Sequence, residues 1–493
     1  MEALRARLGP RTLFLGGVMM AILAALVQPV ADPDFWWHLR TGQWIVAHRN
    51  IPTHDLYTFT VGGHLWTDHE YLTEALMWLG YQWTGLAGIA IGFGVLTFVG
   101  FCLIWRTAEV ARRPYLIAGL GLVLGALAGT PIWGPRAQMI TFVFSCLELM
   151  WLRSYLQGSS RAIIWFPLLM VAWANLHAGW AIGFAFLGVA LVSEATLWLL
   201  QRRSVNLLRI RTLAIISLLS VAAVALTPHG LSLYRYPIDT LTSSAQQRLI
   251  VEWLSPNFHD TQLRAFELMI LLVVTVLVLH RPSVYDLLLT LLTLALALES
   301  VRNIALFVAA ATPILIVHGS EIWTAWRGRR DQSRPASPAP AWMAVTTLVL
   351  LLLIGLGSLV SSADRARRQD QLVAQSFPVG ATDWLSTHPG VGTRMFNLYQ
   401  WGGYLIWRLY PDPNRRVFIF GEAALMGDAM LNQYEDVETI RKDWLTVLAR
   451  RKIDLVVDQR GDALVNALSA TGSWRVVYED KVAVILVRKS ARS

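Results

Sequence analysis

Apolar runs of near-membrane length recur along this chain, separated by short loops that carry arginine. Lipid offers no water to satisfy backbone N–H and C=O groups, so runs of about 20 residues can cross it only as helices. Crossing helices are expected at 13–30, 86–105, 115–131, 137–153, 162–176, 180–200, 212–228, 265–280, 284–300, 302–318 and 342–361. Region 162–200 is one apolar stretch interrupted by Asn175-Leu176-His177-Ala178-Gly179, and it must turn there. A mean hydropathy of +0.46, with only 15% charged residues, excludes an ordinary soluble enzyme.

The formal net charge of +9 is unevenly placed, so it reads as topology and not as a nucleic-acid footprint. Arg5, Arg7 and Arg11 precede the first run, which is expected to remain as an uncleaved span. Arg106, Arg112 and Arg113, then Arg153 and Arg161, then Arg202, Arg203, Arg209 and Arg211, then Arg281, and finally Arg327, Arg329, Arg330 and Arg334 fall in alternate loops. That bias predicts a multi-pass cell-membrane protein with a cytoplasmic N-terminus; segment 31–70, loop 229–264 and the C-terminal tail then lie outside. Cys102 and Cys146 sit inside apolar runs and read as small buried hydrophobes.

The expected organisation is a membrane module over 1–320 with a first outer loop at 31–85, a Pro/Arg/Ser linker over 321–341, a last span at 342–361, and an extracytoplasmic α/β domain over 362–493. The tail holds all four lysines of the chain. Helices are expected there at 379–387 and 437–451, strands at 416–420 and 453–458, and a hairpin from 474–478 and 482–488. Glu70 to Trp83 predicts an amphipathic surface helix whose aromatics sit at headgroup level.

The chemistry-bearing residues cluster on the outer side. Asp32 and Asp34 follow the first span directly, and their two-residue spacing predicts that one carboxylate faces a cavity while the other caps the next helix. His38 stands four residues after Asp34, placed to orient it or to bind a phosphate, and Arg40 is expected to meet lipid headgroups. Asp68 and Glu70 offer a carboxylate pair that would hold a divalent cation, Mg or Mn, or cap the surface helix. Arg136, Gln138, Asn175, His177, His229, Glu252 and Arg302 fall at span ends on that same side. Carboxylates with arginines suit a general base next to an anionic phosphate leaving group. No phosphate-binding GxxxxGK[ST] loop, HExxH or GxSxG motif occurs, which argues against nucleotide hydrolysis.

An Asp-bearing segment directly after span one, a first outer loop with surface helices and about eleven spans together resemble the GT-C superfamily of integral-membrane glycosyltransferases. That group includes protein O-mannosyltransferases, aminoarabinose transferases and Rgt-like enzymes. The resemblance implies a polytopic helical membrane bundle, a polyprenyl-phosphate-linked sugar as donor, and an envelope acceptor. By position it implies that Asp34, or else Asp32, removes the acceptor hydroxyl proton. Phe396-Asn397-Leu398-Tyr399-Gln400-Trp401-Gly402-Gly403-Tyr404 faintly resembles the Trp-Trp-Asp-Tyr-Gly signature of oligosaccharyltransferases but lacks its acidic residue. The competing expectation for that segment is a glycine-rich turn with aromatic packing. The competing functions are a transporter or lipid flippase, whose polar residues line a path, and a non-catalytic envelope scaffold.

Overall fold

The computed structural model describes residues 9–201, 204–328 and 341–489. Arg5, Arg7, Arg202, Arg203, Arg329, Arg330 and Arg334, and most of the 321–341 linker, lie outside the described residues. Two compact units emerge, one from 1–28, 90–228 and 252–366 and the other from 29–89, 229–251 and 367–493.

The first unit is helical. Among the described residues of the whole chain, seven helices are long and apolar enough to cross a membrane: Tyr71–Thr107, Gln138–Leu156, Ala178–Gln201, Val205–Val224, Thr261–Leu279, Val301–Gly328 and Leu348–Arg365. Pro10–Leu26, Tyr115–Ala128 and Ala162–Leu176 are apolar but shorter, as is the helix Val284–Glu299. Each stretch expected to cross therefore lies on a helix, but the expected number of crossings exceeds the seven that length and hydropathy support. The helix Ile304–Gly328 packs against Val284–Glu299, Tyr115–Ala128, Arg264–Leu279 and Gln138–Leu156. It is 78% buried over its apolar window, against 28% for Val205–Val224, so it forms the spine of this unit. Its inward side is Ala305, Phe307, Val308, Ala311 and Ile314, small and large residues mixed along the helix, which lets neighbours interlock at crystal-like density.

The second unit carries a four-stranded sheet, ordered β1-β2-β4-β3, with β1 Met395–Asn397, β2 Leu455–Gln459, β3 Trp474–Glu479 and β4 Ala483–Arg488. β1 runs parallel to β2, and β4 is antiparallel to both β2 and β3. The expected helix at 379–387, the strand near 453–458 and the hairpin are all present. Two expectations fail. Residues 416–420 do not join the ladder, although Val417, Phe418, Ile419 and Phe420 are buried. Their backbone is satisfied instead by the Asn397 side chain, which accepts from Phe418 N (2.8 Å) and donates to Ile419 O (2.9 Å), and by Val417 N donating to Tyr57 O (3.1 Å). The apolar run reads the same whether its backbone partners come from a strand or from side chains. The helix expected over 437–451 is instead Ala423–Glu438 followed by Trp444–Arg450, divided at Ile440, whose φ of 54° ends the first helix.

Tyr71–Thr107 contains the expected surface helix and the second span, separated at Gly85, whose φ of 63° breaks the helical geometry and favours a residue lacking Cβ. Before that break Leu72, Leu76, Leu79 and Trp83 are exposed, whereas Thr73, Glu74 and Met77 are buried. The apolar stripe faces outward and the polar stripe inward, which is the inverse of a soluble amphipathic helix.

Candidate functional site: a buried carboxylate–histidine cluster

In the second unit, Gln369 fixes the entry to the first loop, accepting from Val30 N (2.8 Å) and donating to Val30 O (3.1 Å). Asp32 Oδ1 then accepts from Asp34 N (2.9 Å). This Asx-type turn delivers Asp34 to the N-cap position of the helix Phe35–His48. Asp34 makes no side-chain cap there; its Oδ1 accepts from Trp37 Nε1 (3.1 Å). The sequence left open which aspartate serves the backbone, and Asp32 takes that part. Gly421 lies against the Asp34 carboxylate so closely that a Cβ at that position would overlap Oδ1. The helix Gly402–Leu409, which opens with Gly402-Gly403 of the aromatic segment, packs on Phe35–His48, and Trp36 meets Tyr404 edge-on at 5.0 Å. The aromatic segment is thus more than a turn: Phe396 and Asn397 form part of β1, and its end begins a helix.

His38 lies between two carboxylates. Its Nδ1 is 2.7 Å from Glu74 Oε1, and its Nε2 is 3.4 Å from Glu70 Oε2. Burial holds this imidazole down to about 4, so near neutrality it is uncharged. His69 Nε2 sits 3.2 Å from Glu70 Oε1, and the ring stacks near Tyr236 at 4.0 Å. Burial works against its charge, but the hydrogen bond and charge of Glu70, with Glu422 and Asp68 nearby, raise it to about 9. His229 donates from Nε2 to the Asp68 carbonyl (2.6 Å), and burial lowers its pKa. Burial pushes Asp68 up to about 7 despite the neighbouring His69 charge, and pushes Glu422 to about 7 in the same way. Asp68 Oδ1 accepts weakly from Glu70 N (3.4 Å), and the Asp68 and Glu74 carboxyl groups hydrogen-bond to each other. The capping expected of Asp68 is therefore the smaller part of what it does. Carboxylates poised near neutrality beside a charged histidine can take up or release a proton at working pH.

Arg40 departs from the expected headgroup contact. It donates to the carbonyl of Tyr410 and to Gln43, and lies over the Tyr410 ring at 5.1 Å. A half-buried guanidinium gains more from fixed acceptors than from the surface.

The remaining expected residues lie in the first unit. Arg136 pairs with Glu252 at 2.5 Å, and Arg302 lies over the Trp253 ring at 4.6 Å. Glu252 is held below its usual range: burial opposes this, but Arg136 and Arg302 outweigh it. Gln138 donates to the Arg302 carbonyl (2.7 Å), so these four form one group. Asn175 donates to Val171 O (2.7 Å) and Leu226 O (3.0 Å). His177 Nδ1 accepts from Gly179 N (2.9 Å) and meets Thr141 Oγ1 at 2.8 Å. Both residues serve the turn that the sequence placed there.

His69, Glu74 and Glu422 belong to the cluster and were missed. His69 was read only as a neighbour of Asp68 and Glu70. Glu74 was passed over because its helix was read from its apolar stripe, and an i, i+4 glance from Glu70 would have found it on the inward face. Glu422 is separated from the rest by more than 300 residues, and no local signal marks it. Asp68 and Glu70 are not among the described sets of three or more ligand atoms lying within 4.8 Å of one another; those sets are His280, His318 and Glu321, and Glu438, Asp458 and Asp462.

No family model and no curated protein matches this chain. Solved structures do. The apo oligosaccharyltransferase of Archaeoglobus fulgidus aligns with a TM-score of 0.56 at 11% identity, over 91% of this chain and 70% of that one. The fold is of the GT-C type. The A. fulgidus oligosaccharyltransferase AglB, in complex with an inhibitory peptide and a dolichol-phosphate, gives a TM-score of 0.52 at 10% identity over 90% of this chain and 69% of that one. The arabinofuranosyltransferase AftD from Mycobacteria gives 0.51 at 14% identity, over 98% of this chain but 40% of that much longer one. At such identities the likeness concerns the fold, and residue roles must come from this chain's own chemistry.

Proposed function

We propose that this chain is a membrane glycosyltransferase that moves a sugar from a polyprenyl-phosphate carrier to an envelope acceptor at the outer membrane face. The observation that carries the reading is the Asp34 carboxylate, presented by the Asp32 turn and seated against Gly421, beside a buried cluster of carboxylates and histidines. The GT-C fold supports it, because one solved structure of that fold contains dolichol-phosphate. In this reading Asp34 takes the proton of the acceptor hydroxyl as its oxygen attacks the anomeric carbon. The bond from that carbon to the carrier phosphate breaks, and the phosphate leaves as the anion, so no nucleotide is needed. His38 holds the Glu70 and Glu74 carboxylates in place. All eleven apolar helices cross, with the N-terminus cytoplasmic and residues 362–493 outside.

The test is a reconstituted transfer assay read by mass spectrometry of lipid-linked sugars and glycan products. Asp34→Asn should lower transfer by about 10²-fold or more while binding the carrier normally, the scale expected for loss of a general base. Unchanged transfer by Asp34→Asn would overturn the assignment of the base. Carrier movement across sealed vesicles with no new glycosidic bond would overturn the reaction itself.

A further inference from the structure

The spine of the first unit carries a second polar group that the transfer reaction does not use. His318 and Glu321 stand three residues apart in the helix Ile304–Gly328, so they share one of its faces. His280 is the C-cap residue of the neighbouring helix Arg264–Leu279, which packs against that spine. One ligand atom from each of the three lies within 4.8 Å of those of the other two. His318 is buried, whereas the His280 and Glu321 side chains are 41% and 40% exposed, which leaves a way in from solvent.

The hydrogen-bond partners show which atoms face one another. Asp286 Oδ2 lies 3.4 Å from His318 Nε2, and Asp286 is itself paired with Arg153. A carboxylate at Nε2 keeps the hydrogen there and leaves Nδ1 with its lone pair, the arrangement that orients a metal-binding imidazole. That Nδ1 is 2.7 Å from His280 Nδ1, with the two rings inclined at 53°. Glu321 divides its oxygens: Oε1 accepts from Arg113 (3.3 Å), and Oε2 turns to His280 Nε2 at 3.4 Å. Two facing imidazole nitrogens can share one hydrogen, whereas a cation engages both lone pairs at once.

We infer that His280, His318 and Glu321 form a zinc site with a fourth position open to water, and that Asp286 orients His318 from behind. Two imidazoles with one carboxylate suit Zn2+ and disfavour Ca2+ and Mg2+, which take oxygen donors. Zn–N bonds of about 2.0–2.1 Å in tetrahedral geometry set two nitrogens about 3.3 Å apart. The pair must therefore open by about 0.6 Å from its 2.7 Å separation, a movement within reach of the part-exposed His280 ring at its helix end. The bound ion clasps the end of Arg264–Leu279 to the spine.

Full-length protein without a histidine tag, in detergent and stripped with EDTA, is titrated with CoCl2 while the visible spectrum is followed, then with ZnCl2 against a chromogenic chelator. The wild type should develop the band of a four-coordinate cobalt site, and Zn2+ should abolish it. His280→Gln should lose the band and weaken Zn2+ binding by about 10²-fold or more, at an unchanged Tm in EDTA. Glu321→Gln should weaken it too, through a ligand on the other helix. Asp286→Asn should keep the band and bind Zn2+ about ten- to a hundredfold more weakly, as loss of an outer partner does. His388→Gln, at an exposed histidine of the second unit, should bind Zn2+ as the wild type does. The inference is overturned if the wild type gives no band, or if His280→Gln and Glu321→Gln bind Zn2+ as tightly as the wild type. An unchanged affinity in Asp286→Asn would overturn the part given to Asp286.

Discussion

Two polar groups, one in each unit, solve the problem of charge near a membrane in opposite ways. In the first unit Arg136 and Arg302 cancel Glu252, and the pair settles as ions. In the second unit Asp68, Glu70, Glu74 and Glu422 surround histidines, and burial lifts Asp68 and Glu422 to about 7 while Glu70 raises His69 to about 9. The first arrangement is fixed in charge over the whole working pH range and suits holding an anion. The second changes charge near neutrality and suits proton transfer.

The contrast is best broken at the position that seats Asp34. Gly421→Ala adds a methyl group where the Asp34 carboxylate now lies, without changing any charge. It should lower transfer by about 10²-fold through displacement of the reacting group by roughly 1 Å, at a nearly unchanged Tm. Normal transfer by this variant would show that the position of Asp34 is not what matters. A smaller effect is expected in the other group. Arg302→Ala should raise KM for the lipid-linked donor about tenfold with little change in kcat, since a cation of fixed charge binds ground state and transition state alike. A fall in kcat instead would place Arg302 with the reacting atoms and erase the distinction between the groups.

The smallest effect is on stability, and it sharpens the proton-balance side. His69 is raised to about 9 in the folded protein. A raised histidine contributes stability that is complete below its unfolded value near 6.5 and is lost as pH climbs through about 9. Thermal unfolding of the wild type should therefore fall over that window, and His69→Gln should flatten the fall. Asp68 and Glu422, raised by burial to about 7, act in a lower window, with stability lost as pH rises from near 4 towards 7. An unchanged profile for His69→Gln would mean that His69 is not charged in the folded state.

Much of this was legible in order along the chain. The apolar runs, the turn at Asn175–Gly179 and the hairpin each rest on local pattern, and local pattern is what a sequence displays. The helix of Glu70–Trp83 was legible from its apolar stripe, but that stripe is exposed and Glu74 is buried, an inversion that spacing alone does not show. Arg416–Phe420 had the apolar run of a buried strand and none of its ladder, since an apolar run records burial and not the partner of a hydrogen bond.

By itself the sequence determined a chain of apolar helices with two acids directly after the first of them, because hydropathy and short-range spacing act within a few residues. Tertiary structure alone decided that Asp32 serves the backbone, that Gly421 meets Asp34, and that Glu422 joins Asp68 and His69. The last two join residues hundreds of positions apart. Their chemistry depends on burial and neighbouring charge, which exist only once the chain has folded.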